Sequence, residues 1–423
     1  MTKSMLNALL LVLSTNIAEA ESQIAHATTL QSRAAAQPWW PFSWDKISVH
    51  SFPGASPRFM NSSEVSELSR FNFMNIWGVN ATCVNGSTGE LIPATCPGLD
   101  SRCTCKSTAV RIEDQTFLPV MESSLHAQSR ALKAFKAPSI LPVLGYLNSA
   151  VMQKWSLGQN EFNNNATFAP WHMTLDVIGE VDCFENGCNY QGMEYRVMDF
   201  RIPEARAWWV DNVLAPLINS PDIDGTFLDE ANQFVSILCP RWNCTVDEMA
   251  AVTAGQLAQL DEALAYAASI DKWMMISLTC TFDSLSSYCD AAHASMAKHG
   301  HAIRFYEFFN HLDFEYLIYE AQTLKLPIVA HGGRTMRPDW VELSMFLIGA
   351  GEYSYWSYSE GWNYGSFPWQ PEYDLKLGAP LTPPKFVNVS SSDDSYWTRS
   401  FEFLDVTYYP ANRSAYMTPK GSK

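Results

Sequence analysis

The sequence predicts an α/β protein: a single (β/α)8 barrel with Cys-rich loop insertions and a C-terminal β-like extension. Three observations carry that expectation. Eight short runs rich in β-branched, aromatic and aliphatic residues recur between positions 47 and 358. Amphipathic stretches of helical period separate them, and strands that alternate with helices imply a parallel sheet, which eight strands close. The rival, an open doubly wound sheet, usually has fewer strands and often a Gly-rich phosphate loop. Neither G-x-G-x-x-G nor a Walker motif occurs.

In order, the runs read as strands are Ile47–Phe52, Phe73–Val79, Ile140–Leu147, Gly225–Asp229, Trp273–Thr279, Ala302–Phe308, Leu326–Ala330 and Tyr353–Tyr358. The helical stretches are Ser63–Ser69, Ser123–Phe135, Pro203–Ile218, Thr245–Ser269, Leu285–His299, Phe314–Leu324 and Pro338–Ile348. Ser62 or Ser63 is placed to cap the first helix, and Pro203 suits a first helical turn. Two long loops interrupt the repeat, residues 81–107 with four cysteines and residues 149–195 with Trp155, Trp171 and the Cys183/Cys188 pair. Both follow strand C-termini, the face on which barrel enzymes build their sites. The expected organisation is therefore a signal peptide at 1–20, a flexible N-terminus at 21–37, the barrel at 38–368 and an extension at 369–423 packed on it. Within that extension the alternating segment Phe401–Tyr409 is expected to cover the outside of the barrel.

Lys3, the apolar run Leu6–Leu13 and the small-x-small triplet Ala18-Glu19-Ala20 form a secretory signal. Seven N-x-[ST] sequons, at Asn61, Asn80, Asn85, Asn165, Asn243, Asn388 and Asn412, and ten cysteines agree with an oxidising, extracellular destination. The spacing suggests local staples at Cys183/Cys188, Cys239/Cys244 and Cys280/Cys289. No C-x-x-C pair is present and His299-Gly300-His301 stands alone, so neither metal nor cofactor is expected. The net charge is −16, with 28 basic and 44 acidic residues and no Lys/Arg cluster, which argues against nucleic acid. After the leader, no apolar run is long enough to span a bilayer.

The sharpest chemical signal is Ile223-Asp224-Gly225-Thr226-Phe227-Leu228-Asp229-Glu230. Here an apolar strand ends in two carboxylates, which a barrel would set at its active rim. Glycosidic cleavage uses two carboxyl groups across the bond, one anionic and one able to give a proton. The plainer alternative is that Asp229 caps the next helix. Glu307, in Ile303-Arg304-Phe305-Tyr306-Glu307-Phe308-Phe309, is the best partner, because a lone acid in so apolar a strand must be paired, lumen-facing or terminal. Alternation sets it opposite Arg304, Tyr306 and Phe308, and the sequence does not say which face is inward. A structural ion pair with Arg304 or Arg334 is the alternative. Asp199 is placed either to cap the Pro203 helix or to bind a sugar hydroxyl. The other substrate-binding candidates are Glu230, Trp77, Tyr146, Asn148, His331, Arg334 and Trp356, with His50 and Thr279 also near strand ends. Together they offer the aromatic faces and hydrogen-bonding groups that sugar rings use. No G-x-S-x-G elbow or H-E-x-x-H motif competes.

Asp-Gly-Thr-Phe-Leu-Asp at 224–229 resembles the signature that ends strand four in glycoside-hydrolase-like (β/α)8 barrels. The similarity is nearest to endo-α-1,4-polygalactosaminidase-type enzymes and the uncharacterised glycosyl hydrolase families. Asp199 with Pro203 and Arg206, Leu377-Gly378-Ala379-Pro380, and Trp397-Thr398-Arg399-Ser400-Phe401 are similar to further pieces of that pattern. The resemblance spans roughly residues 39–410 and implies Asp229 as strand-four nucleophile or base and Glu307 as strand-six acid. The Cys-rich loops depart from the bacterial pattern. The expected function is a secreted glycoside hydrolase acting on a poly- or oligosaccharide. The alternative is an inactive barrel that binds glycans, since a fold does not grant activity.

Overall fold

The computed structural model describes residues 40–53, 60–76, 82–85, 91–93, 109–111, 118–149, 152, 157–175, 179–180, 196–232, 243–280, 286–332, 340–359, 369–389 and 394–421. Eight parallel strands close a barrel: β1 Val49–Ser51, β2 Phe73–Ile76, β3 Val143–Asn148, β4 Gly225–Asp229, β5 Trp273–Ser277, β6 Ala302–Tyr306, β7 Ile328–Gly332 and β8 Ser354–Tyr358. Each pairs with its neighbours in sequence, and β8 returns to β1 through Val49↔Trp356. All eight expected strands are present, one of them with identical ends.

Seven helices fill the crossovers: α1 Ser62–Leu68, α2 Leu118–Lys136, α3 Pro203–Trp209, α4 Val246–Ser269, α5 Ser286–His299, α6 Phe314–Ile318 and α7 Trp340–Gly349. The residue that caps α1 is Asn61, not Ser62 or Ser63. Its Oδ1 accepts from the backbone N–H of Ser63 and Glu64, both at 3.0 Å, while Glu64 reaches back to the Asn61 N–H. Thr245 and Glu248 close the same reciprocal box on α4. Pro203 opens α3 as expected, and that helix continues through a wider π turn, Val210–Leu214, into Ala215–Ile218.

The described parts of the two insertions contain regular elements. Thr82–Asn85, Leu91–Pro93 and Ala109–Arg111 form a small antiparallel sheet after β2. After β3 come a helix, Leu157–Asn164, a tight turn, Ala166–Trp171, and two paired strands, Thr174–Leu175 and Gly179–Glu180. Cys280 and Cys289 are joined, tying the end of β5 to α5. Cys244 is disulfide-bonded as well. Cys183, Cys188 and Cys239 lie outside the described residues.

Apolar side chains form two shells, because a parallel barrel buries both faces of its strands. The outer shell lies between strands and helices; the inner one contains Phe73, Leu144, Phe227, Met275, Ile303, Phe305, Val329 and Tyr355. Trp40 plugs the N-terminal end of the lumen, 4.5 Å from Phe73 and 5.6 Å from Trp273 between ring centres. Gly225 is required where β4 meets β5: a Cβ there would sit 1.9 Å from the Trp273 carbonyl oxygen.

No eighth helix follows β8 among the described residues. A four-stranded antiparallel sheet, β9 Lys385–Val387, β10 Tyr396–Ser400, β11 Leu404–Tyr409 and β12 Ser414–Pro419, packs against α7 instead. Leu404, Val406 and Tyr408 face the barrel and are buried. Arg399 donates to the carbonyls of Leu347, Ile348 and Ala350, and Gln322 to those of Gly349 and Ala350, so the C-terminal end of α7 is satisfied by side chains.

Candidate active site

The inward set on each strand follows from period-two alternation, anchored by the lumen cluster. On β6 Ile303 and Phe305 face the lumen, so Glu307, two residues on, shares their face. Arg304 and Tyr306 point outward, where both bond Glu320. Arg304 is therefore engaged on the opposite side of the strand from Glu307. Following the register once round the barrel from His50 returns to β1 eight residues lower, the offset that places alternate strands in one layer.

That offset stacks the lumen in layers. Uppermost, at the C-terminal mouth, are Asp229 from β4, Glu307 from β6 and Ser359 from β8. Beneath them lie Phe52, Tyr146, Ser277 and His331, then Asn75, Phe227, Phe305 and Ser357. Ring contacts agree with this order: Phe52 stacks on Tyr146 at 6.1 Å, and Phe227 meets Phe305 edge-on at 4.7 Å. Asp229 and Glu307 are thus neighbours in the top layer, two strands apart. Two inter-strand steps separate their backbones by roughly 10 Å, and the bond from Tyr146 directs the Asp229 carboxylate inward. This suits the separation of about 5–9.5 Å that carboxyl pairs of glycoside hydrolases span.

Asp229 is held from every side. Its Oδ2 accepts from the Tyr146 hydroxyl at 2.9 Å and its Oδ1 from the Glu230 N–H at 2.9 Å. Its carbonyl takes both the N–H and the hydroxyl of Ser149. Burial lifts its pKa from 3.8 to about 6, against the two hydrogen bonds, which lower it. Tyr146 is raised far above the ordinary phenol value by burial and then by the charges of Asp229 and Glu230. Asn148 donates to Glu230 at 2.7 Å. Glu230 itself is left-handed at φ 57°, and Phe308 after Glu307 is left-handed at φ 55°. Other left-handed residues, Asp271, Lys325 and Tyr353, sit in helix-to-strand turns at the opposite face. At the mouth, strain of this kind directly follows both carboxylate-bearing strands.

Below the carboxylates one wall is polar but uncharged. His50 Nδ1 lies 3.1 Å from Ser357 Oγ, and His331 Nε2 lies 2.8 Å from Ser359 Oγ. Burial lowers both imidazoles to about 3, with His331 adding to the effect on His50. Both are neutral at physiological pH.

Of the expected residues, Asp229, Glu230, Tyr146 and Asn148 are linked directly, and Glu307 and His331 share their mouth. Asp199 is not brought to this group by any contact. Its carboxylate takes the Arg201 guanidinium at 2.7 and 2.8 Å and the Arg201 N–H, while Ile202 occupies the N-cap of α3. The capping role weighed for it is therefore not observed. Trp356 is corrected outright: Tyr355 and Ser357 face the lumen, so Trp356 faces outward, buried against Phe309 and Phe346. Trp77 and Arg334 lie outside the described residues. Phe52, Ser149, Ser277 and Ser359 were missed by sequence reading. For Ser359 the alternation Tyr355-Ser357-Ser359 was an available signal.

Among the described residues no group of three or more His, Cys, Asp or Glu side chains is arranged to hold a metal ion. No described helix is long and apolar enough to cross a membrane. The model of hypothetical glycosyl hydrolase family 15 matches residues 138–404, well over half the sequence. The chain belongs to this family. It is therefore a glycoside-hydrolase barrel, and the matched stretch contains Asp229 and Glu307. No curated protein matches. Among solved structures the chain is similar to a cyclomaltodextrinase, at 11% identity and a TM-score of 0.43, covering 88% of this chain and 70% of that one. A cyclic α-maltosyl-(1→6)-maltose hydrolase from Arthrobacter globiformis, in complex with cyclic α-maltosyl-(1→6)-maltose, is similar at 11% identity and 0.43, with 88% and 91% covered. An acarbose-soaked debranching enzyme from Nostoc punctiforme is similar at 9% and 0.41, with 87% and 89% covered.

Proposed function

We propose that this family member is a secreted, N-glycosylated hydrolase that cleaves a poly- or oligosaccharide with Asp229 and Glu307. What supports the reading is the register, which sets Asp229 at the end of β4 and Glu307 one residue past β6 at the same height of the mouth. Asp229 is the anionic partner, as nucleophile or as base toward water. With a pKa of about 6 it is ionised at neutral pH, and its two hydrogen bonds fix the carboxylate plane. Glu307 gives its proton to the departing oxygen. The neutral wall of His50, His331, Ser357 and Ser359 suits an uncharged sugar, since it offers hydrogen bonds without a cation. Secretion rests on the leader and the sequons; the five sequon asparagines whose exposure is described, Asn61, Asn165, Asn243, Asn388 and Asn412, are all exposed.

The test is a panel of poly- and oligosaccharides incubated with the purified chain, with Asp229→Asn as control. Hydrolysis by the parent and none by the variant supports the reading. Binding without hydrolysis by the parent would replace it with a glycan-binding role. Equal hydrolysis by both proteins would remove Asp229 from the chemistry.

A further inference from the structure

We propose that Asn412 carries an N-linked glycan whose first N-acetylglucosamine packs on the ring of Tyr409. The inference rests on the secretory reading above and names one sequon that is used, and says why.

Asn412 lies in the four-residue turn 410–413 between β11 and β12. Arg413, the next residue, is left-handed at φ 51° and leads the turn into the regular closing pair of Tyr409 with Ser414. Arg413 also bonds His311 at 3.0 Å, so its side chain is drawn toward the barrel. Asn412 Oδ1 accepts from both the N–H and the hydroxyl of Ser414, at 3.1 and 2.7 Å. The sequon hydroxyl is thus already bonded to the amide to be modified, and the exposed side chain keeps Nδ2 open to solvent.

The register supplies the platform. Tyr409 pairs directly with Ser414, so the two side chains emerge on one face, roughly 5 Å apart at Cβ. Tyr408 is buried against Phe314 of α6, so the face of Tyr409 is the outer one. Asn412, tethered to Ser414, therefore sets its first sugar beside Tyr409. Tyr396 and Tyr416 flank that ring at 5.4 and 6.0 Å, and Tyr416 is 61% exposed. Three tyrosines in a diagonal row on an outer sheet face leave apolar surface that the C–H face of a sugar covers well.

The other described sequons are built differently. Asn61 is folded onto the start of α1, Asn165 caps the turn at Ala166–Trp171, Asn243 precedes the disulfide-bonded Cys244, and Asn388 accepts from the Ser395 hydroxyl at 3.3 Å rather than from its own sequon serine. Chemically the donor is a lipid-linked oligosaccharyl diphosphate. Its anomeric C–O bond breaks, the C1–Nδ2 bond forms, Nδ2 gives up one proton, and the lipid diphosphate leaves.

The experiment expresses the full chain in a glycosylating secretory host, trims its glycans to one sugar and maps the peptides. Asn412 is expected to be occupied, and the trimmed protein to melt about 1–3 °C above Asn412→Gln. That gain should persist in Tyr409→Phe and vanish in Tyr409→Thr. A bare Asn412 beside other occupied sequons overturns this inference alone. A gain unchanged in Tyr409→Thr, or lost in Tyr409→Phe, overturns the packing. A chain with no sequon modified overturns the secretory reading together with it.

Discussion

Asp229→Asn is expected to remove turnover and, at neutral pH, to make the protein more stable. In the fold, burial displaces the Asp229 pKa from 3.8 to about 6. At about 1.4 kcal/mol for each tenfold change in the protonation constant, an ionised Asp229 costs the folded state roughly 3 kcal/mol. Its partial exposure at the mouth screens this, and ~1–2 kcal/mol is the expected gain, or roughly 2–5 °C. The amide retains the contacts: its oxygen accepts from the Glu230 N–H, and its NH2 donates to the Tyr146 hydroxyl, which rotates to accept. The pH dependence has a definite sign. Between about pH 4 and 6 the folded state binds the extra proton, so the penalty grows through that window and is complete above it. Below pH 4 both states are protonated and parent and variant should agree. Urea unfolding of both proteins at pH 3.5, 5 and 7.5 measures this. A variant less stable than its parent at pH 7.5, or a difference constant across the three pH values, refutes the reasoning.

The acid limb of kcat/KM should fall as pH drops through about 6, the Asp229 value; a limb near 4 would detach Asp229 from the rate. Tyr146→Phe removes a hydrogen bond that lowers the Asp229 pKa, so the same limb should move upward and kcat should fall about tenfold. An unmoved limb would make Tyr146 a packing residue only. Glu307→Gln should slow substrates with poor leaving groups far more than activated aryl glycosides, and equal slowing would require another acid. Glu320→Ala leaves the Arg304 guanidinium buried without its partner and should cost about 3–5 kcal/mol in chemical unfolding, with little change in KM. A loss under 1 kcal/mol would show that the pair contributes nothing.

The strands were legible because each is a compact apolar run closed by turn residues, and Gly225–Asp229 was legible to the residue. Which way a side chain points was far less so. In a parallel barrel both strand faces are apolar, so Tyr355 and Trp356 look alike in sequence although one fills the lumen and the other meets α7. Glu307 posed the same problem, and its side is read by alternation from Ile303 and Phe305, which lie in the lumen. Asp199, as a helix cap, misled for a different reason. The residue that engages it, Arg201, is two positions away, and the helix start that drew attention to Asp199 is capped without it. The small sheet after β2 escaped because its pairing joins strands across segments of unequal length.

Barrel closure has a consequence for how the chain is made. β1 finds its second neighbour only in β8, roughly 300 residues downstream, a separation that delays pairing during synthesis. The seam extends further still: the Leu377 N–H bonds the Asp45 carbonyl, and Lys46 bridges Lys376. At a synthesis rate of about 5–20 residues per second, one edge of β1 stays open for some 15–60 s while the rest of the barrel emerges. Throughout that interval the nascent chain offers an unpaired parallel edge to whatever assists its folding. A chain stopped anywhere before β8 would never close that edge, so no shorter piece could be released as a smaller closed barrel.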